Sequence, residues 1–185
     1  LDGATTRITG GIVNGHPFFL WVGAGFDGRV AGALHHGAKR RLGKLAYGGA
    51  IARAIAAPLD PLTVEVDGRC QPCGWVVVTN ASRYGGRFHL TDRTELSKPG
   101  LVAVLLTDQR RGTLAKVLLA LATGRLPDLA RSERGVACLP ATRVVVTAER
   151  PISAQVDGDP ERHARLEIRA GGPAFDLIIP PAAST

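Results

Sequence analysis

Two Asp-Gly pairs, each lying between apolar runs, constrain the fold of this chain more than any other feature. Asp157 and Gly158 follow the run Val144-Val145-Val146 and precede Leu166-Glu167-Ile168. An earlier pair closes the segment Val64-Glu-Val-Asp-Gly68. Asp-Gly between strand patterns is the strongest short-range signal for a β-hairpin with a type I′ or related two-residue turn. The sequence therefore predicts two hairpins, and hairpins alone account for the likeness of the two segments.

The second of these turns also carries two carboxylates. In Gln155-Val-Asp-Gly-Asp-Pro160, Asp157 and Asp159 stand one residue apart across a glycine. Such a tip can present one carboxylate as a base and the other toward a metal or a cationic substrate. The motif by itself favours an ordinary hairpin turn, since Asp-Gly is so common there. A catalytic interpretation needs support from the rest of the chain.

Short apolar runs separated by Gly, Pro and Asp-Gly turns fill most of the remaining sequence. The chain has 185 residues, enough for one domain or one domain with a small appendage. The spacing of the runs favours a mainly β fold, either a sandwich or a barrel. Strands are predicted at Arg7–Val13, Phe18–Gly23, Leu62–Val66, Trp75–Thr79, Leu101–Thr107, Arg143–Ala148, Arg165–Arg169 and Phe175–Ile179.

Two stretches depart from the strand pattern and predict short helices. Apolar residues in Lys39–Ala57 recur at helical spacing, and Pro58 ends the stretch. A second helix is predicted over Thr113–Thr123, closed by Gly124 and then Pro127. The sequence contains no long linker or low-complexity segment.

The charge of the chain favours anionic partners. The formal net charge is +7 and the cations are mostly arginine, whose planar guanidinium suits phosphates and anionic head groups. Nucleic acid and a membrane surface both fit this balance, although genomic base composition also produces an arginine bias. Two Trp and two Tyr leave few side chains to stack on bases, so we expect no nucleic-acid partner.

The remaining composition bears on location and completeness. No run approaches 18 consecutive apolar residues, and three cysteines do not make a disulfide framework, so a cytoplasmic protein is expected. The sequence contains no methionine and begins at Leu1, which predicts a fragment or a processed product.

Three further motifs invite functional interpretations that we consider weaker. Cys70-Gln-Pro-Cys73 lacks the partners of a zinc site and is followed by a strand rather than a helix, which predicts two cysteines in a hairpin loop. Gly23-Ala-Gly-Phe-Asp-Gly28 lacks the glycine spacing of a dinucleotide-binding loop, and its glycines are expected to permit close packing or a bend. The basic cluster at 35–44 is either a solvated helix face or a head-group contact, the former being favoured.

Taken in order, these motifs resemble the C-terminal domain of the diacylglycerol kinase and sphingosine kinase-like lipid kinase family. The resemblance spans about Arg7 to Pro180. The ordered set consists of Ile12-Val-Asn-Gly15 with Phe18, the glycine-rich segment 23–28, Arg41-Leu-Gly-Lys-Leu-Ala-Tyr47, Val64-Glu-Val-Asp-Gly68, Trp75-Val-Val-Val-Thr-Asn80, Tyr84-Gly-Gly86, Gly100-Leu101 and Gln155-Val-Asp-Gly-Asp159.

The resemblance implies a two-sheet β-sandwich over residues 1–185 and a set of functional residues. It implies that Asp157 is the general base for a lipid hydroxyl attacking the γ-phosphate of ATP. Asp159 stands where the family usually has Glu and would help to organise Mg²⁺. ATP and most of the magnesium site would belong to an N-terminal nucleotide-binding domain, marked by G-G-D-G-T, that this chain lacks.

One departure from the family pattern concerns a second, structural metal site. Bacterial members often carry Asp-Asp-Gly-x-Leu-Asp, whereas this chain has Lys98-Pro-Gly-Leu-Val-Ala103. Side-chain oxygen ligands for a divalent cation are absent from that stretch. We predict that this structural metal site is lost.

The sequence thus predicts the lipid-binding and base-donating half of an ATP- and Mg-dependent lipid kinase, inactive without its N-terminal domain. Its partners would be a membrane lipid, an anionic membrane surface contacted peripherally, and its own N-terminal domain. The alternatives are a non-catalytic lipid- or partner-binding module of the same fold and, ranked last, an arginine-rich nucleic-acid-binding β domain. The acceptor lipid and the oligomeric state stay open.

Overall fold

The computed structural model describes residues 4–37, 52, 54–94, 96–97, 100–132 and 134–179. Twelve strands and three helices have both of their ends in these ranges. The helices are α1 (Phe26–Gly37), α2 (Arg111–Ala122) and α3 (Leu126–Ser132). The strands are β1 (Ala4–Val13), β2 (His16–Phe18), β3 (Trp21–Gly25), β4 (Leu62–Val66), β5 (Arg69–Cys73), β6 (Trp75–Thr79), β7 (Arg83–Tyr84), β8 (Phe88–His89), β9 (Leu101–Leu106), β10 (Val136–Ala141), β11 (Arg143–Val156) and β12 (Asp159–Ile179).

The strands form two antiparallel layers that share the long strand β11. The sheet runs in the order β10-β9-β6-β3-β11-β12-β1-β2, and β4 joins β11 to β5. Residues 144–147 of β11 pair with β4, whereas residues 154–156 pair with β3. The register between β11 and β12 shifts between Thr147 and Ile152. Because β11 bends at this irregularity, it passes from one layer to the other, and the predicted mainly β sandwich is confirmed.

Successive side chains of the central strands point to opposite faces of the sheet, and this divides the core into two parts. In β6, Val76 and Val78 face the space between the layers, while Trp75 and Val77 face the helices. All five residues of β6 and all six of β9 are buried, so both faces of these strands are covered. Near-continuous apolar runs such as Trp75–Thr79 therefore mark the middle of the fold, in line with strands buried on both sides.

Helices α2 and α3 pack on the outer face of the β6-β9-β10 layer, and α1 lies against β3, β6, β11 and β12. Helix α2 confirms the helix predicted over 113–123. Helices α1 and α3 were not predicted from the sequence. The other predicted helix, Lys39–Ala57, lies mostly outside the described residues. Of its residues that are described, 52 and 54–56 are helical.

Several predicted strand bounds were wrong in ways that matter for the site. The segment Phe18–Gly23 is not one strand, because β2 ends at Phe18 and β3 begins at Trp21. The segments Arg165–Arg169 and Phe175–Ile179 belong to one continuous strand, β12. Strand β10 and the second half of β11 were not predicted. The break after Phe18 exposes backbone N–H groups, which a side chain from another turn satisfies.

Candidate functional site

Three tight turns of the sheet share one backbone conformation, and the turn of Asp157 is one of them. Asn14, Asp67 and Asp157 have φ angles of 47°, 45° and 47°, and the glycine that follows each has φ of 86°, 85° and 100°. Positive φ at both positions defines the type I′ hairpin turn, which requires residues that tolerate the left-handed region. The two Asp-Gly hairpins predicted from the sequence are therefore confirmed.

The carboxylate of Asp157 fastens its hairpin to the neighbouring β2–β3 turn. Oδ2 accepts the N–H of Phe19 at 2.7 Å, and Oδ1 accepts those of Leu20 and Trp21 at 2.8 and 3.0 Å. The backbone N–H of Asp157 in turn donates to the Trp21 carbonyl at 3.0 Å. Three donors are thus satisfied by one exposed carboxylate, and its orientation is fixed.

The other two turns use their first side chain in the same way. The carboxylate of Asp67 accepts the N–H groups of Thr142 and Arg143, the shortest bond being 2.8 Å. Asn14 accepts the N–H of Glu167 at 2.8 Å and donates to the Arg165 carbonyl at 3.0 Å. The bonding of Asp157 to backbone is therefore a structural device of this fold, whatever further role that residue has.

Asp159, the second predicted catalytic carboxylate, occupies a different position. It is the first residue of β12, is exposed, and pairs with Val156 across the hairpin. It takes no part in the bonds that hold the Asp157 carboxylate. The hairpin brings the two residues to one tip, but the side chain of Asp157 is directed into the β2–β3 turn.

A buried glutamine links the Asp157 turn to the interior. Gln155 is 2% exposed; its Oε1 accepts the N–H of Gly158 at 2.6 Å and its Nε2 donates to Oδ2 of Asp27 at 2.7 Å. Because one end of the amide must accept and the other must donate, its orientation is determined. The turn and Asp27 are therefore rigidly connected through one side chain.

Asp27 is a buried carboxylate at the start of α1. The hydroxyl of Tyr84 donates to its Oδ1, and Gln155 donates to its Oδ2. Burial raises the pKa of Asp27 above its ordinary value, while the hydrogen bonds from Tyr84 and Gln155 act in the opposite direction. A carboxyl in such an environment is a common feature of functional sites.

The glycine-rich segment 23–28 provides the space and the bend that place this carboxylate. A Cβ at Gly23 would overlap Oδ2 of Asp27 and lie 2.5 Å from its Cγ. Gly25 has φ of 80° and turns the chain from β3 into α1, and a Cβ at Gly28 would overlap the backbone of Ser153 and Ala154. The expected close packing and bend are confirmed.

An apolar cavity of about 250 Å³ adjoins Asp27 on the helix side of the sheet. The indole N–H of Trp75 is buried in this region and has no hydrogen-bond partner among the described residues. An apolar cavity with a few polar groups at its wall has the usual character of a small-molecule site. Its lining residues are Phe26, Asp27, Val30, Trp75, Tyr84, Phe88, Leu118, Leu121 and Ala122.

Sequence reasoning missed Asp27, Tyr84 and Gln155 as site residues. Asp27 lies in the glycine-rich motif and Gln155 in the Q-V-D-G-D motif, both of which were singled out for other residues. A charged residue flanked by glycines directly after a buried strand was the available signal for Asp27.

The Cys70–Cys73 motif does not form a pair, and the prediction of a hairpin loop was wrong. Both residues lie in strand β5; Cys70 is exposed and Cys73 is buried. Residues three apart on a strand point to opposite faces. The Cys73 thiol donates to the Trp75 carbonyl at 2.9 Å, and burial raises its pKa to about 12.

No group of three or more His, Cys, Asp or Glu side chains within the described ranges is arranged to hold a metal ion. The predicted loss of the structural metal site falls partly outside these ranges, at residues 98–99, and stays a prediction. In the part of the chain that the structure describes, no helix is long and apolar enough to cross a membrane.

Comparison with known proteins identifies the family. The model of the YegS C-terminal NAD kinase β-sandwich-like domain matches residues 21–179. The chain belongs to this family. A search of curated proteins found no similar sequence.

Three solved structures of similar fold come from Bacillus anthracis strain Sterne. A candidate diacylglycerol kinase is 17% identical with a TM-score of 0.70, over 98% of this chain and 58% of that one. A diacylglycerol kinase is 14% identical with a TM-score of 0.64, over 98% and 56%. A third structure, another candidate diacylglycerol kinase, is 15% identical with a TM-score of 0.66, over 98% and 59%. The chain thus spans less than two thirds of the length of each.

Proposed function

We propose that this chain is the lipid-binding and base-donating domain of a lipid kinase that transfers the γ-phosphate of ATP to a lipid hydroxyl. The observation that carries this proposal is the hydrogen-bonded path from the apolar cavity to the Asp157 turn. The path runs from Tyr84 to Asp27, from Asp27 to Gln155 and from Gln155 to Gly158. The family and the kinase names of the structural neighbours support the same reaction class.

The cavity suits the apolar part of a lipid. Its walls are aromatic and aliphatic, and Phe26 and Trp75 meet edge to face with ring centroids 5.8 Å apart. Each methylene removed from water contributes about 0.8 kcal/mol, so a few carbons of chain suffice for millimolar binding. The Trp75 N–H, which has no partner within the described ranges, offers a donor to an ester or hydroxyl oxygen in a mainly apolar wall.

In this proposal Asp157 orients the nucleophile. Oδ1 already accepts two N–H groups and Oδ2 accepts one, which leaves a lone pair on Oδ2 for the lipid hydroxyl. The hydroxyl oxygen attacks the γ-phosphorus, its proton passes to Oδ2, and the bond from the γ-phosphorus to ADP breaks. Phosphoryl transfer depends mainly on positioning and charge neutralisation, so a firmly held carboxylate fits this role.

Magnesium would depend only in part on this chain. Mg²⁺ requires near-octahedral oxygen coordination and usually keeps several waters and substrate phosphates as ligands. The described residues offer Asp159 at the tip of the hairpin, and its short side chain fits a water-bridged contact best. The ion would neutralise charge on the phosphates. Its other protein ligands would come from a nucleotide-binding domain.

The test compares two matched turn variants in the full protein that contains this chain. Asp157→Asn and Asp67→Asn remove the same charge from the same turn type, and each weakens bonds to backbone N–H groups. We expect ATP-dependent phosphate transfer to a panel of hydroxyl lipids to fall about 100-fold or more in Asp157→Asn. Asp67→Asn should keep the transfer rate within about threefold, because it perturbs only a structural turn.

A non-catalytic binding module is the second candidate. The observation in its favour is that the side chains of Asp67 and Asn14 also bind backbone groups of a neighbouring segment, although neither belongs to the hydrogen-bonded path from the apolar cavity. If both Asp variants retain equal transfer, Asp157 is only a turn residue and the catalytic proposal fails. If the wild-type protein binds lipid without any transfer, the module is the better description.

A further inference from the structure

A second, cationic groove adjoins the apolar cavity. It has a volume of about 450 Å³, and Arg83, Arg87 and His89 line it. The groove and the cavity share Phe88, Leu121 and Ala122 as wall residues. The apolar slot and the patch of positive charge therefore adjoin each other across these three residues.

The β7–β8 hairpin carries its cationic side chains on one face and its aromatic side chains on the other. Arg83 pairs with His89 and Tyr84 pairs with Phe88 across the two strands. Because successive side chains on a strand point to opposite faces, one face presents the cationic pair and the other the aromatic pair. Gly85 and Gly86 have φ of 56° and 80° and allow the tight loop that places Arg87 at the tip.

The charges of the groove are available to an anion. Arg83 and Arg87 are exposed, and neither forms an ion pair with another described residue. His89 lies 3.0 Å from Asp92, but that carboxylate is also paired with Arg131 at 2.7 Å. None of the described residues that line the groove carries a carboxylate.

The C-terminal end of helix α2 repels a bound anion only weakly. Helix C-termini carry a partial negative charge worth up to about 1 kcal/mol at the surface. Here the last carbonyls are occupied: Thr123, Gly124 and Arg125 donate their N–H groups to Leu119, Leu121 and Ala120. Two unpaired guanidinium groups outweigh what remains of that dipole.

We propose that the groove binds the phosphate group of an anionic membrane phospholipid whose acyl chain enters the adjoining cavity. The assignment rests on the lipid-binding role proposed for the cavity, and it adds a head-group site beside that cavity. An arginine pair binds a phosphate through bidentate, charge-assisted hydrogen bonds. The ligand is lipid-borne phosphate, because only a lipid fills the slot and the groove together.

The test uses a double variant and a charge-matched control in the full protein that contains this chain. Arg83→Gln/Arg87→Gln removes the two groove cations, and Arg69→Gln/Arg150→Gln removes two exposed cations elsewhere. Binding is measured by flotation on neutral phosphatidylcholine vesicles and on vesicles containing about one-fifth phosphatidylglycerol, at physiological ionic strength. We expect affinity for the anionic vesicles to fall about thirtyfold in the groove variant and less than about threefold in the control.

Two results would overturn the assignment. Equal losses in both double variants would mean that only overall charge matters. Displacement from vesicles by millimolar inorganic phosphate or glycerol 3-phosphate would mean that the groove takes free phosphate. Transfer by Asp157→Asn is assayed separately, so loss of the catalytic proposal leaves the vesicle result to stand or fall alone.

Discussion

At the scale of single residues, Gly23 determines whether the buried carboxylate of Asp27 can be accommodated. We expect Gly23→Ala to destabilise the fold by about 2–4 kcal/mol, since the added methyl overlaps the Asp27 carboxylate and displaces α1 from β3. Gly112→Ala in helix α2 is the control: its Cβ meets no atom of the described residues within 4 Å, so it should stabilise by about 0.5–1 kcal/mol. Urea unfolding of the two variants measures both effects, and equal stabilities would contradict the packing argument.

The ionisation of Asp27 should make stability depend on pH. Burial raises its folded-state pKa above the ordinary value of 3.8, so between these two values the folded state binds more protons than the unfolded state. Unfolding free energy should therefore fall as pH rises through this window and level off above the folded-state pKa. Asp27→Asn should lack this fall.

Tyr84→Phe extends the same prediction. It removes the hydroxyl that donates to Asp27, a bond that lowers the pKa, so the fall in stability should continue to higher pH than in the wild type. Urea titrations across the acid to neutral range give the three profiles. Parallel profiles for wild type and Asp27→Asn would show that this carboxyl does not govern the pH dependence.

At the scale of elements, strand β5 sets the reactivity of the two neighbouring cysteines. At pH 8 a thiol with a pKa of about 12 is ionised in roughly one molecule in ten thousand, and Cys73 is also buried. Cys70 is exposed, so a disulfide reagent should modify Cys70 rapidly in the native protein and Cys73 only after unfolding. Mass spectrometry of partly labelled protein identifies the site, and early modification of Cys73 would contradict the strand geometry.

The elements also show where sequence reasoning succeeds. Runs such as Leu62–Val66 and Trp75–Thr79 are strands because β-branched and apolar residues continue without interruption until a turn signal. Helix α1 was missed because Gly28, Gly32 and Gly37 lower its helical propensity, and it forms by packing against the sheet instead. Helix α3 was missed because Pro127 was taken as a stop, although proline is tolerated in a first turn.

The candidate site could be predicted from the sequence only in part, because some of its contacts join distant parts of the chain. The Asp157 turn is a local pattern, so the sequence reveals it. The bond between Asp27 and Gln155 joins residues 128 positions apart, and it depends on the bend of β11 between two layers. Neither the periodicity of one segment nor the composition contains that information.

At the scale of the whole molecule, the net charge of +7 and the two groove arginines should affect different steps of binding to an anionic vesicle. Long-range attraction by the whole charge distribution governs the association rate and weakens as salt shortens the Debye length. Close contacts in a desolvated site govern the dissociation rate.

Both double variants carry the same reduced charge, so their association rates should fall equally. Wild-type association should slow as ionic strength rises. Only Arg83→Gln/Arg87→Gln should dissociate faster, and stopped-flow mixing with labelled vesicles separates the two rates. Association that is insensitive to salt would show that the overall charge does not guide the encounter, and equal dissociation rates would show that the groove does not hold the lipid.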